Sequence, residues 1–204
     1  MLKLLLVRHG ETDWNAQGRY QGHSDLPLNP KGFKQVQQLA ERLLPLQIDF
    51  VFSSDLQRAL QTAQILVTGR ETTIQTDPQL REMNFGLLEG VTFIEAMQRW
   101  PGMIEKWLQD HNQPPQGGEP IDAFDQRVSR FYDVLRQNFD QKTVLIVAHG
   151  GPLRKIIQLL LQTAASSSPA WWINLDHASL SEFQVDPQTI IIDRLNDTGH
   201  LKNP

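Results

Sequence analysis

The stretch "LVRHGETDWN", Leu6–Asn15, contains the change of character that decides the fold. Residues 2–7 form an apolar run broken only by Lys3, the pattern of a strand buried on both faces. The run stops abruptly on Arg8, His9 and Gly10. A second run, "TVLIVAHGG" (143–151), stops in the same manner on His149, Gly150 and Gly151. If the two strands are parallel, both imidazoles arrive at one sheet edge.

Working outward, Asn29-Pro30 reads as an N-cap with proline in the first helical turn. Phe33, Val36, Ala40, Leu43 and Leu44 follow at helical spacing. "IDFVFSS" (48–54) is a strand, and the helix after it carries Leu56, Ala59, Leu60, Ala63 and Leu66 on one face. "TTIQT" (72–76) is a short strand. A helix over 121–139 is marked by Ile121, Phe124, Val128, Phe131, Leu135 and Phe139, and another begins at Pro152 and runs through Leu161. "SLSEFQV" (179–185) and "TIIIDRL" (189–195) flank Asp186-Pro187-Gln188, a hairpin signal. Alternating strands and helices imply parallel βαβ units under helices on both faces, and the final hairpin makes the sheet mixed. The expected fold is three-layer α/β/α with a mostly parallel sheet, one domain over 1–204. Residues 83–120, rich in Trp, Met, Gly and Pro, are expected to form a small helical and loop excursion capping the site.

In such sheets ligands bind beyond the carboxyl ends of the strands. That rule gathers Arg8, His9, Arg58, Glu82 and His149 at one edge. Two guanidiniums can grip a tetrahedral oxyanion through paired hydrogen bonds. Gly150 and Gly151 open backbone N–H groups to an anion at a helix start. A neutral imidazole in that clamp can attack phosphorus, and a carboxyl group kept protonated by its setting can serve the leaving oxygen. The set describes metal-free phosphoryl transfer through a phosphohistidine, with either His9 or His149 as nucleophile. Taken singly, each residue has a blander reading: a loop histidine, a solvated Arg58, a surface Glu82. Their co-occurrence at strand ends is what favours chemistry.

Bulk composition narrows the field. The chain has 204 residues and a net charge of −4, so no global basic field attracts nucleic acid. Cysteine is absent, which removes disulfides, thiol nucleophiles and thiolate metal sites. The apolar start is too short for a membrane span and has no small-residue cleavage site, so a cytoplasmic protein without membrane contact is expected. The expected partner is a small phosphomonoester; the sequence leaves a homodimer open.

Together, "LVRHGETDWN", "RYQGHSDLPLNPKG" (19–32), "SSDLQRALQTA" (53–63), "LREMNFGLLEG" (80–90), "GGEPIDAFDQRV" (117–128) and "VAHGGPLR" (147–154) resemble the histidine phosphatase superfamily, the branch with cofactor-dependent phosphoglycerate mutases and small phosphatases. The resemblance implies a phosphoglycerate mutase-like fold and no metal or other cofactor. It implies His9 as nucleophile and Glu82 as proton donor. Arg8, Arg58 and His149 would hold the phosphoryl group, and Asn15, Gln21, Gly22 and the backbone at Gly150 would complete the pocket.

Within that family, mutases carry a longer insertion after the acid and a covering tail. Here 67 positions separate Glu82 from His149, and the chain stops nine residues after Leu195. Met83-Asn84-Phe85 also lacks the basic groups that a phosphorylated acid needs. These points favour a phosphatase, with phosphoserine, α-ribazole 5'-phosphate or a broad range of esters as substrate and "LNDTGHL" (195–201) resembling small phosphatases of this branch. Substrate choice is expected to lie in Tyr20, Gln21, Phe85 and the 83–120 segment; Trp100, Trp107, Met97 and Met103 are candidates for its wall, although Trp and Met at helical spacing are more often packing than pocket. A phosphoglycerate mutase is the alternative. A phosphate-binding regulatory module without turnover and a zinc hydrolase built on His9 and His149 are more distant ones.

Overall fold

The computed structural model describes residues 1–161, 173–186 and 188–201. Six strands form one sheet: β1 (Leu2–Arg8), β2 (Phe50–Ser53), β3 (Ile74–Thr76), β4 (Thr143–Ala148), β5 (Leu180–Val185) and β6 (Ile190–Asp197), in the order β3-β2-β4-β1-β5-β6. β1 to β4 run parallel, whereas β5 pairs antiparallel with both β1 and β6. The sheet is therefore mixed, as the terminal hairpin signal implies; Pro187, part of that sequence signal, lies outside the described residues.

Side chains alternate across the sheet, and each face has its own helices. On one face Leu4, Leu6, Phe52, Val144, Ile146 and Phe183 pack under α6 (Ile121–Asn138) and α7 (Gly150–Leu160). On the other, Leu5, Val7, Val51, Leu145 and Val147 pack under α2 (Pro30–Leu43) and α3 (Gln57–Leu66). β1 and β4 thus bury both faces, which is why both read as unbroken apolar runs.

Two helices differ in detail from the expectation. The buried stripe of α2 is Gly32, Val36, Leu39 and Leu43, and Phe33 and Leu44 point outward. That stripe follows the i, i+4, i+7, i+11 positions, and Phe33 and Leu44 lie one residue off it. α7 starts at Gly150, two residues before Pro152, with His149 at its N-cap. A one-turn helix, α1 (Asp13–Ala16), was not anticipated; a Thr12–Asn15 capping box starts it.

After β3 the chain makes a short turn over Pro78–Leu80 and enters the 83–120 segment, which holds α4 (Phe93–Arg99) and α5 (Pro101–Gln109). Leu88, Val91, Ala96, Ile104 and Trp107 form a separate small core there, with Met97, Trp100 and Met103 packed against it. These Trp and Met residues are packing groups.

Candidate active site

The register of the central strands places the two histidines side by side. Arg8 pairs with Ala148, so His9 and His149 are the next residues on adjacent parallel strands. The His9 N–H donates to the Ala148 carbonyl at 3.0 Å. The rings lie edge to face with centroids 5.0 Å apart. Both are buried, at 3% and 0% exposure, which keeps bulk water from competing for their nitrogens.

Their hydrogen bonds decide which nitrogen does what. His9 Nδ1 lies 2.7 Å from the Gly10 carbonyl, which only accepts, so Nδ1 carries the proton and Nε2 the lone pair. His149 Nδ1 lies 3.1 Å from Arg58 Nε, which only donates, so His149 carries its proton on Nε2. That Nε2 is buried without a partner among the described residues. Burial, with Arg58 and then Arg8 adding repulsion, holds the His9 imidazole well below its usual range. Burial, Arg58 and His9 do the same to His149. The pair thus offers one nucleophilic nitrogen and one N–H donor.

Arg58, in the first turn of α3, is fully buried rather than solvated. A buried guanidinium needs acceptors. Besides His149 it has the Ser24 carbonyl at 2.9 Å and the Gly22 carbonyl at 2.7 Å. Gly22 is itself closely packed: a Cβ there would stand 2.3 Å from the Met83 carbonyl and 2.4 Å from Glu89 Oε1, so the loop carrying this acceptor lies against the segment after Glu82. Arg8 donates to the Leu175 carbonyl at 2.5 Å, and its Nε is buried and unpartnered among the described residues. Burial lowers both guanidiniums to about 10, so both stay cationic at neutral pH.

Glu82 follows the Pro78–Leu80 turn. Its Oε1 accepts from Met83 N–H at 2.9 Å and its Oε2 from Gly151 N–H at 3.0 Å. The acid is therefore moored to the first turn of α7, beside His149. Gly151 has no room for a side chain: a Cβ would lie 2.0 Å from Glu82 Oε1. Gly150 is freer, with the end of Arg154 nearest at 3.3 Å.

The remaining expected residues form a neighbouring group. Thr12 Oγ1 lies 2.9 Å from Asn15 Oδ1 and 2.7 Å from Gln21 Oε1, and Gln21 Nε2 is buried and unpartnered among the described residues. The Phe85 ring is tilted against Tyr20 at 5.2 Å and meets Trp107 at 6.1 Å, so it packs against the excursion's core. Glu11, the last residue of the Arg-His-Gly-Glu stretch, pairs with Lys31 at 2.7 Å and Asn29 at 3.1 Å and ties β1 to the start of α2.

One residue at this edge was missed. The His177 ring lies 5.8 Å from that of His9, and its Nε2 is buried and unpartnered among the described residues. Burial, with Arg8 adding to it, lowers His177 to about 4. The signal lay in the hairpin: a strand antiparallel to β1 begins where β1 ends, so "DHAS" before β5 returns to the histidine edge. Among the described residues no group of three metal-ligating side chains is arranged to hold an ion, and no helix is long and apolar enough to cross a membrane.

The sequence profile of the histidine phosphatase superfamily (branch 1) matches residues 4–198. Phosphoserine phosphatase 1 of Hydrogenobacter thermophilus is 33% identical over 202 residues, covering 98% of this chain and 95% of that protein. A bifunctional protein of Mycobacterium tuberculosis is 39% identical over 203 residues, 98% of this chain but 55% of its own length. The crystal structure of the α-ribazole phosphatase from Shigella flexneri superimposes with a TM-score of 0.87 at 32% identity, covering 96% of each chain. With paired histidines at the ends of β1 and β4, a phosphoglycerate mutase-like sheet and a profile match over nearly its whole length, the chain belongs to branch 1 of the histidine phosphatase superfamily, close to phosphoserine and α-ribazole phosphatases.

Proposed function

We propose that the chain is a metal-independent phosphomonoesterase that works through a phosphohistidine on His9. The observation that carries this reading is the Nδ1–H bond from His9 to the Gly10 carbonyl, which leaves Nε2 with its lone pair free and the ring neutral. A neutral nucleophile beside two cations suits attack on an anionic phosphoryl group.

In the first step the Nε2 lone pair forms a bond to phosphorus and the P–O ester bond breaks. Glu82, as general acid, gives a proton to the departing alkoxide. Arg8, Arg58 and the Nε2–H of His149 take the charge on the equatorial oxygens, with the backbone at Gly150 and the amides of Asn15 and Gln21 as further donors. In the second step Glu82 takes a proton from water, the water oxygen bonds to phosphorus, and the P–Nε2 bond breaks. His9 is returned neutral.

Phosphoserine and α-ribazole 5'-phosphate are the first substrates to try, since related proteins carry those names. The segment over 83–120 would act as the cap, with Phe85 and Tyr20 nearest the leaving group. The test is a panel of phosphomonoesters, including p-nitrophenyl phosphate, assayed in a chelator with 3-phosphoglycerate isomerisation measured alongside. Hydrolysis that persists in chelator, without isomerisation, supports the reading. Isomerisation outpacing hydrolysis would make the chain a mutase, and no turnover of any ester would make it a binding module.

A further inference from the structure

Arg127, near the start of α6, has all five of its guanidinium N–H groups engaged. Nε donates to Glu119 Oε1 at 2.7 Å and Nη2 to Glu119 Oε2 at 2.9 Å. Nη2 also donates to the Glu82 carbonyl at 2.9 Å, and Nη1 to the carbonyls of Gln79 and Arg81, both at 2.7 Å. The Phe124 ring lies under the guanidinium at 4.8 Å.

Three of those five acceptors are main-chain carbonyls of one four-residue stretch that ends at the acid itself. The other lone pair of the Glu82 carbonyl faces His23 Nε2 at 3.0 Å. Glu119 takes hold of the far side: its N–H donates to the Asn84 carbonyl at 2.8 Å, and its Oε2 accepts from Asn84 N–H at 3.4 Å. The main chain is gripped on both sides of Glu82. An ion pair that only tied α6 to residue 119 would need the fork and nothing more. Here the fork uses two N–H groups, and the remaining three fix where the Glu82 backbone stands.

Among the described residues neither Arg127 nor Glu119 hydrogen-bonds to His9 or His149. The Arg127 charge also bears on His149, but the hydrogen bonds of the pair act on the main chain around Glu82, whose carboxyl group accepts from the N–H groups of Met83 and Gly151. We infer that Arg127 and Glu119 are a positioning pair that sets the Glu82 carboxyl group against the ester oxygen and so governs proton delivery to the leaving group. The inference rests on the reading of Glu82 as proton donor.

A proton donor matters most when the leaving group is a poor one. An alkyl phosphate expels a basic alkoxide and needs the proton; p-nitrophenyl phosphate expels a weakly basic phenolate and needs it far less. The ratio kcat/KM covers the steps through ester cleavage, so it reads this difference directly. Lysine keeps the charge of Arg127 but brings three donors without the planar fork.

The experiment compares Arg127→Lys, Glu119→Gln and Glu82→Gln with the unaltered protein on both esters, with Tm and inhibition by inorganic phosphate recorded for each. For Arg127→Lys we expect kcat/KM to fall about 100-fold on the alkyl ester and less than about fivefold on p-nitrophenyl phosphate, the size of a misplaced general acid. Phosphate inhibition is expected to stay within about twofold, because the groups that hold phosphate are not moved. Glu119→Gln is expected to act in the same direction and more weakly, and it carries the test if Arg127→Lys does not fold. Equal losses on the two esters, or no loss, in the folded variants would overturn the inference. If Glu82→Gln shows the selective loss and the other two do not, positioning alone fails. If Glu82→Gln itself loses both esters equally, the proton-donor reading fails with it.

Discussion

Arg58 Nε donates to His149 Nδ1 across 3.1 Å, and that bond settles which nitrogen of His149 faces the pocket with a proton. The Gly10 carbonyl does the converse for His9. Two neighbouring imidazoles on parallel strands are thereby set to opposite tasks by their other partners.

If Arg58 works through this bond as well as by its charge, its loss and the loss of His149 must overlap. Arg58→Lys, which removes the Nε donor, is expected to lower kcat about 100-fold or more, the usual cost of a lost transition-state donor. In a His149→Ala background the same change is expected to cost far less. A double-mutant cycle on kcat with p-nitrophenyl phosphate measures this, and additive losses would show the two residues acting independently.

The two glycines after His149 differ sharply in the room they have. Gly151→Ala places a methyl group 2.0 Å from Glu82 Oε1 and 3.1 Å from the Phe124 ring. Gly150→Ala meets only the flexible end of Arg154, at 3.3 Å. Gly151→Ala is expected to cost about 100-fold in kcat by displacing the acid, and Gly150→Ala less than about tenfold. Similar activities for the two variants would mean that the carboxyl group does not act from its position against α7.

His177 makes stability depend on pH. Its ordinary value of 6.5 is lowered to about 4 in the fold by burial, with Arg8 adding and Glu11 and Asp176 opposing. Below 6.5 the unfolded chain takes up a proton that the native protein refuses until about 4. The contribution is therefore complete above 6.5 and is lost as pH falls towards 4, by about 3 kcal/mol from this residue. His177→Asn is expected to flatten the decline of Tm between pH 6.5 and 4. Parallel Tm curves for the two proteins would refute the burial of a neutral His177.

The parts of the fold and site that were legible in the sequence were those written in short-range patterns. β1 and β4 announced themselves because both faces are covered, and each apolar run ended on its histidine. Arg58 was harder: by helical spacing its neighbours are the polar Gln61 and Thr62, and only the folded positions of His149, Ser24 and Gly22 explain its full burial. His177 reaches the histidine edge because β5 runs against β1, and the turn before β5 is drawn in by the buried Ala178, which adopts a φ of 54°. Arg127 acts on carbonyls 45 to 48 positions away, which carry no side-chain signature at all. Strand ends can be read from local patterns; the carbonyl acceptors that orient the site's side chains cannot.

The central step of the proposed reaction is a covalent bond between phosphorus and His9 Nε2. Protein mixed with a 32P-labelled phosphomonoester and quenched in alkali within milliseconds should carry label that survives base and is lost in acid, as a phosphohistidine is. The label should map to His9 and be absent, together with turnover, in His9→Ala. Turnover without label in the unaltered protein, or label and turnover retained in His9→Ala, would contradict it.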